Sequence, residues 1–82
     1  MHEQTYVLAK WQSHKVVQAA RIIAILDGRQ LVFADNQGFY YPPTSYFAKH
    51  EPTVGGYFVE YEDGYQSFSP AKAFEDGYTL VE

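Results

Sequence analysis

The segment from Pro52 to Tyr78 constrains this chain most, because its turn-forming residues fall at short, regular intervals: Gly55-Gly56, Asp63-Gly64, Ser69-Pro70 and Gly77. Between them lie an aromatic run, Tyr57-Phe58-Val59-Glu60-Tyr61-Glu62, and a second run, Tyr65-Gln66-Ser67-Phe68. Two β-prone runs on either side of Asp-Gly read as a hairpin, since Asp-Gly supplies the positive φ that tight hairpin turns need. With Asp63-Gly64 as a two-residue turn, Val59 falls beside Phe68, Tyr61 beside Gln66 and Glu60 beside Ser67. Side chains alternate along a strand, so Tyr57, Val59, Tyr61, Gln66 and Phe68 form a dry inward face. Phe58, Glu60, Glu62, Tyr65 and Ser67 then form the outward one. Ser69 reads as a helix N-cap with Pro70 at the first helical position, where a missing N–H is harmless. Phe74 points back to the sheet, Gly77 suits a left-handed stop, and Tyr78 to Val81 closes as a last short strand.

The upstream half extends the β pattern. Lys15 to Leu26 is rich in β-branched residues and is followed by Asp27-Gly28, a second hairpin signal. That turn places Leu26 opposite Arg29, Ala24 opposite Leu31 and Ile22 opposite Phe33. Ile22, Ala24, Leu26, Leu31 and Phe33 then make one apolar side, and Ile23, Ile25 and Val32 another, as expected of a central hairpin with cover on both faces. Asp35 to Gly38 reads as a turn, Phe39-Tyr40-Tyr41 as a short strand ended by Pro42-Pro43. Thr44 or Ser45 caps a single helical turn through His50, stopped by Pro52. Tyr6, Val7, Leu8 and Trp11 read as a first edge strand or a segment crossing the core, with residues 1–4 a flexible tail. The fold expected is mainly β (a small α+β chain): a compact SH3-like antiparallel barrel, or a strongly twisted sheet, of five or six strands with two one-turn helices. Residues 1–82 make a single domain.

A chain of 82 residues buries only roughly 60–65% of the surface it exposes when unfolded, so its core must be efficient. Eight Tyr, six Phe and one Trp provide that area, and Tyr hydroxyls favour positions that also reach water or a partner. Cysteine is absent, so disulfides and thiolate metal sites are excluded. No apolar run approaches the ~18 residues of a membrane span, and the start Met-His-Glu-Gln-Thr lacks a signal-peptide shape, which together point to a cytoplasmic protein. Charge is uneven. Residues 1–50 carry Lys10, Lys15, Arg21, Arg29 and Lys49 against Glu3, Asp27 and Asp35, a net of +2. Residues 51–82 carry Glu51, Glu60, Glu62, Asp63, Glu75, Asp76 and Glu82 against Lys72, a net of −6. An acidic chain without clustered Lys and Arg is a poor candidate for direct nucleic-acid binding and fits a basic protein partner better.

Chemistry-bearing patterns are sparse. His2, His14 and His50 lack metal-ligand spacing, with only Glu51 beside His50. Glu60 and Glu62 share a strand face but a wet one, which gives no reason for the split pKa values of an acid–base pair. Ser67 and Ser69 have no histidine nearby in sequence, and Gly55-Gly56 lacks the lysine and the helix of a phosphate-binding loop. The expectation is therefore a non-enzymatic protein without catalytic residues, metal or cofactor. The candidate binding surface is the outward strip Phe58, Glu60, Glu62 and Tyr65 together with Tyr40 and Tyr41.

Three stretches carry a resemblance: Lys15-Val16-Val17-x-Ala19-Ala20-x-Ile22, then Ala48-Lys49-His50-x-Pro52-x-x-Gly55-Gly56-Tyr57-Phe58-Val59, then Tyr61-x-Asp63-Gly64-Tyr65-x-Ser67-Phe68-Ser69-Pro70-x-x-Ala73-Phe74-Glu75-x-Gly77-Tyr78. Over residues 13–80 the chain resembles small uncharacterised proteins encoded by tailed phages and prophages, except at 31–44, so a site at Tyr40-Tyr41 would be particular to this chain. The resemblance implies an accessory protein in the cytoplasm of an infected or lysogenic bacterial host. It brings no catalytic residues. The leading reading is a protein that binds a host or phage protein, for instance an anti-defence inhibitor of a CRISPR nuclease whose acidic C-terminal part mimics nucleic acid. A sponge-type binder of a small signalling nucleotide and a minor virion component are the other readings. A homodimer joined through an unpaired sheet edge fits the first.

Overall fold

The structure, a computed structural model, describes residues 5–12 and 16–81. The expected tail at residues 1–4, with His2 and His14, lies outside the described residues. Among these, one antiparallel sheet of seven strands curls into a half-barrel and carries two helices, so the chain is mainly β. In chain order the elements are β1 (Ala9–Gln12), β2 (Val16–Leu26), β3 (Gln30–Phe33), β4 (Phe39–Tyr40), α1 (Thr44–His50), β5 (Tyr57–Glu60), β6 (Gln66–Ser69), α2 (Ala71–Gly77) and β7 (Thr79–Leu80). The two short strands expected at Phe39 and after Tyr78 form as β4 and β7, and the sheet has seven strands where five or six were expected.

Strand β2 organises the sheet. Its first residues pair with β1 (Val17 opposite Trp11), its middle with β5 (Ala20 opposite Phe58) and its end with β3. Alternation along β2 and β5 sends side chains to both faces, and each face has its own core. One core gathers Ala20, Ile22, Leu31, Phe33 and Phe58 with Tyr46 of α1. The other gathers Val17, Ala19, Tyr57 and Val59 with Phe74 of α2. Phe74 stacks on Tyr57 at 4.2 Å and on Tyr78 at 4.7 Å, and meets Trp11 edge-on at 5.0 Å. Such aromatic pairs add about 0.5–1.5 kcal/mol each beyond burial. The hydroxyl of Tyr57 donates to Glu75 Oε2 at 2.8 Å, a second link between α2 and the sheet.

Both hairpins differ in register from the two-residue reading. The Asp27–Gly28 turn forms, with φ of 55° and 63°, and the Arg29 amide donates to the Leu26 carbonyl. The ladder then slips by one, pairing Leu26 with Gln30, Ile25 with Leu31 and Ala24 with Val32. An irregularity between Ile22 and Ala24 restores Ile22 opposite Phe33. Ile25, not Ala24 or Leu26, therefore packs on the core beside Leu31. At the second hairpin the loop is Glu62-Asp63-Gly64. The Gly64 amide donates to the Tyr61 carbonyl, Tyr61 and Tyr65 close the ladder, and Gly64 has φ 90°. This is a type I turn followed by one left-handed residue. Asp63 keeps a negative φ and its Oδ1 accepts the Tyr65 amide at 2.9 Å, an arrangement unlike the doubly left-handed Asp27–Gly28 turn. Phe58 consequently pairs with Phe68, Val59 with Ser67 and Glu60 with Gln66.

The helix ends differ too. Each helix has seven residues, about two turns, and starts after a proline N-cap, Pro43 or Pro70, without a side-chain cap. Thr44, Ser45 and Ser69 do not cap; Ser69 Oγ lies 3.3 Å from the Pro70 carbonyl instead. Gly77 is the last helical residue and Tyr78 leaves in extended backbone (φ −130°), so no left-handed stop occurs there. Glu51, before Pro52, takes that conformation at φ 47°, because a following proline disfavours right-handed helix. Gly56 is required by contact: a Cβ there would enter the Phe68 ring. Among the described residues no helix is long and apolar enough to cross a membrane.

Phe58→Ala should destabilise the protein by about 3–5 kcal/mol, whereas Leu80→Ala, on an exposed edge, should change stability by less than ~0.5 kcal/mol; urea unfolding measures both.

Candidate binding surface

The one-residue slip at β5–β6 separates the six side chains expected on one surface. Phe58 is fully buried, stacked on Phe33 at 5.6 Å and packed on Tyr40 and Tyr46, so it belongs to the core and not to an outward strip. Tyr40 and Glu60 are joined through a residue assigned to the opposite face. The Tyr40 hydroxyl donates to Gln66 Oε1 at 3.1 Å, and Gln66 Nε2 donates to Glu60 Oε1 at 3.3 Å. With Tyr6, 4.9 Å from Tyr40, this half-buried chain closes one end of the first core. Tyr41 projects the other way, 59% exposed, against Phe39. Glu62 and Tyr65 remain together, on the β5–β6 turn.

That turn packs against the end of α1 and forms the best-defined surface constellation. Tyr61 and Tyr65 stack at 6.0 Å with 26° between their planes. Lys49 Nζ lies 5.0 Å from the Tyr65 ring centre, and the Tyr65 hydroxyl is 3.4 Å from His50 Nε2. His50 in turn packs on Tyr46, whose hydroxyl donates to the Ser67 carbonyl at 2.8 Å and ties α1 to β6. Beside the rings opens a groove of about 510 Å³ lined by Val16, Tyr61, Glu62, Asp63 and Tyr65. A second hollow of about 330 Å³ shares Val16, Tyr61 and Glu62 and extends toward Lys10, Gln18 and Glu60.

The electrostatics follow from these neighbours. Burial, and then the Lys49 ammonium, push the His50 imidazole below its ordinary range, opposed by a hydrogen bond with the Gln66 backbone. Burial first, then the neighbouring Tyr78 and Tyr65, raise the Tyr61 phenol. Glu60, Glu62 and Asp63 form no ion pair among the described residues, where Lys72 and Asp76 are paired at 3.0 Å on exposed α2. The groove therefore presents carboxylates and ring faces that suit a cationic or amphipathic group. No three His, Asp or Glu among the described residues converge as metal ligands would. Sequence reasoning missed Tyr61, Asp63 and Val16, and it missed the approach of Lys49 and His50 to Tyr65. The signal available was a glutamate preceding Asp63-Gly64, which permits a three-residue loop as readily as a two-residue one.

No family model, curated protein or solved structure matches this chain.

Burial and the bond to Glu75 push the Tyr57 phenol up to about 12, and burial raises that of Tyr46 as well. Both folded values lie above the unfolded value near 10. The native state thus binds more protons between pH ~10 and ~12, and stability falls as pH rises through that window. Circular dichroism with absorbance at 295 nm should show tyrosinate formation by these two residues coinciding with unfolding. For His50 the sign is opposite: its depressed value costs stability as pH falls below ~6.5, and its imidazole signals should titrate below that value by NMR.

Proposed function

We propose that this protein is a non-enzymatic accessory protein of a phage or prophage that binds another protein, of host or phage, through the Tyr61–Tyr65 turn. The observation that carries the reading is a stacked tyrosine pair beside a groove with unneutralised carboxylates. Partly exposed tyrosines in a rigid setting are typical anchors of protein interfaces, and their ordering is already complete here because Lys49, His50 and the short loop hold them. The carboxylates Glu60, Glu62 and Asp63 select a partner surface rich in Lys or Arg by steering its approach. A nucleic-acid-binding host protein, such as a defence nuclease, has such a surface, and an acidic groove would compete with its phosphate ligand. The same carboxylates repel a phosphorylated nucleotide, which places the nucleotide-sponge reading second. The site of action on this reading is the cytoplasm of the bacterial host.

The test is affinity capture from host lysates with the wild-type protein and with Tyr65→Ala and Glu62→Lys, followed by titration of the captured protein. A partner held by the wild type and bound ten-fold or more weakly by each variant supports the proposal. A partner bound equally by all three, or none across several hosts, overturns it. Thermal shift against a nucleotide panel should stay flat.

A further inference from the structure

Among the described residues, the sheet formed by β2, β3 and β4 has one apolar side with no helix over it. Pairing sets Ala24 opposite Val32 and Val32 opposite Phe39, so these three project from the same side. Leu26 pairs with Gln30 in the next row, and Tyr41 continues that row, since Tyr40 pairs with Leu31. A shallow hollow of about 250 Å³ between Leu26, Gln30 and Tyr41 agrees with that adjacency. The opposite side of the same strands carries Ile25, Leu31 and Tyr40, all in the first core. Helix α1 inserts Tyr46 into that core and α2 inserts Phe74 into the other. Among the described residues nothing covers the outer side: Ile23 is 51% exposed, Leu26 47% and Tyr41 59%.

We propose that this face is where two copies of the chain associate, sheet against sheet around a two-fold axis. Charge decides the occupant. Residues 51–82 carry a net of −6, and the Tyr61–Tyr65 turn carries two of those acids, Glu62 and Asp63, with Glu60 just before it, so two copies repel each other there. The outer face is instead rimmed by one acid and one base, Asp27 and Arg29, at the hairpin tip. In an isologous pairing Arg29 of one copy can meet Asp27 of the other, so the patch is complementary to itself. Twisted sheets stack through such alternating apolar rows at about 10 Å. The three exposed side chains Ile23, Leu26 and Tyr41 make a patch of few residues, where a standard interface uses about 20–30 a side. The dimer is therefore reversible, not permanent. It also leaves the Tyr61–Tyr65 turn of each copy free, so a dimer offers two such turns.

Sedimentation equilibrium on the wild-type protein from about 1 µM to about 1 mM tests this directly. The mass is expected to rise from monomer toward dimer, and Leu26→Lys and Tyr41→Ser should each weaken association ten-fold or more with unchanged circular dichroism. Glu62→Lys should leave it intact. A wild type that stays monomeric throughout, or a dimer that survives both substitutions at the face, overturns the proposal. Should either variant fold poorly, dilution of the ¹⁵N-labelled wild type still decides. Shift changes confined to residues 23–26, 30–32 and 39–41 support it, and changes centred on the β5–β6 turn overturn it.

Discussion

The burial of Phe58 among Phe33, Tyr40 and Tyr46 is the contact on which the remaining structure depends. It brings β3, β4, β5 and α1 onto one ring that has no solvent exposure. A chain this short has few large side chains that can be wholly buried, so one that ties its own strand to three other elements sets how they are placed. Pairing of β5 with β2 puts the ring on the face of the first core, and the three-residue Glu62-Asp63-Gly64 loop puts Phe68 beside it. A one-residue change in pairing would move Phe58 from beside Phe68 and exchange the partners of every side chain on β6.

Covering both faces of β2 and β5 is the second consequence of small size. Two thin cores, each completed by one aromatic residue from a short helix, use a single central sheet twice. Helix α2 is held by the Phe74 stack and by the Tyr57–Glu75 bond, so an element of only seven residues stays in place without a side-chain cap. What this arrangement leaves outside is small and divided. One part is the acidic tyrosine turn; the other is the uncharged outer side of β2–β4. Their difference in charge underlies the two proposals, a basic protein as partner of the turn and a second copy as partner of the sheet. The two surfaces are built from separate strand ends.

Local features were legible in the sequence. Asp27–Gly28 and Asp63–Gly64 sit in turns, Pro42-Pro43 and Pro70 precede helices, and Phe74 points into the sheet, because each depends on a few adjacent residues. Register was not legible, since it depends on whether the residue after Asp-Gly or the one before it joins the loop. The bulge at Ile23, which decides that Ile25 and not Ala24 meets the core, responds to the packing of β5 and β3 and leaves no local mark. The same holds for the Tyr40–Gln66–Glu60 chain, whose members lie up to 26 residues apart. Of the expected surface, Tyr65 and Glu62 remain at a candidate site, Tyr41 moves to a different one, and Phe58 is buried because the first core covers its face of β5.

Assignment of Hα–Hα NOEs across β5 and β6 tests the account most directly, since the register determines which side chains are free. In an antiparallel pair the residues not bonded to each other bring their Cα atoms to ~4.5 Å and give strong Hα–Hα contacts. The structure gives Phe58 with Phe68 and Glu60 with Gln66 as those pairs. NOEs at these two positions are the expected result. An Hα–Hα NOE between Val59 and Phe68, the unbonded pair of a two-residue turn, would contradict it, moving Phe68 to the face opposite Phe58 and dissolving the Tyr61–Tyr65 site.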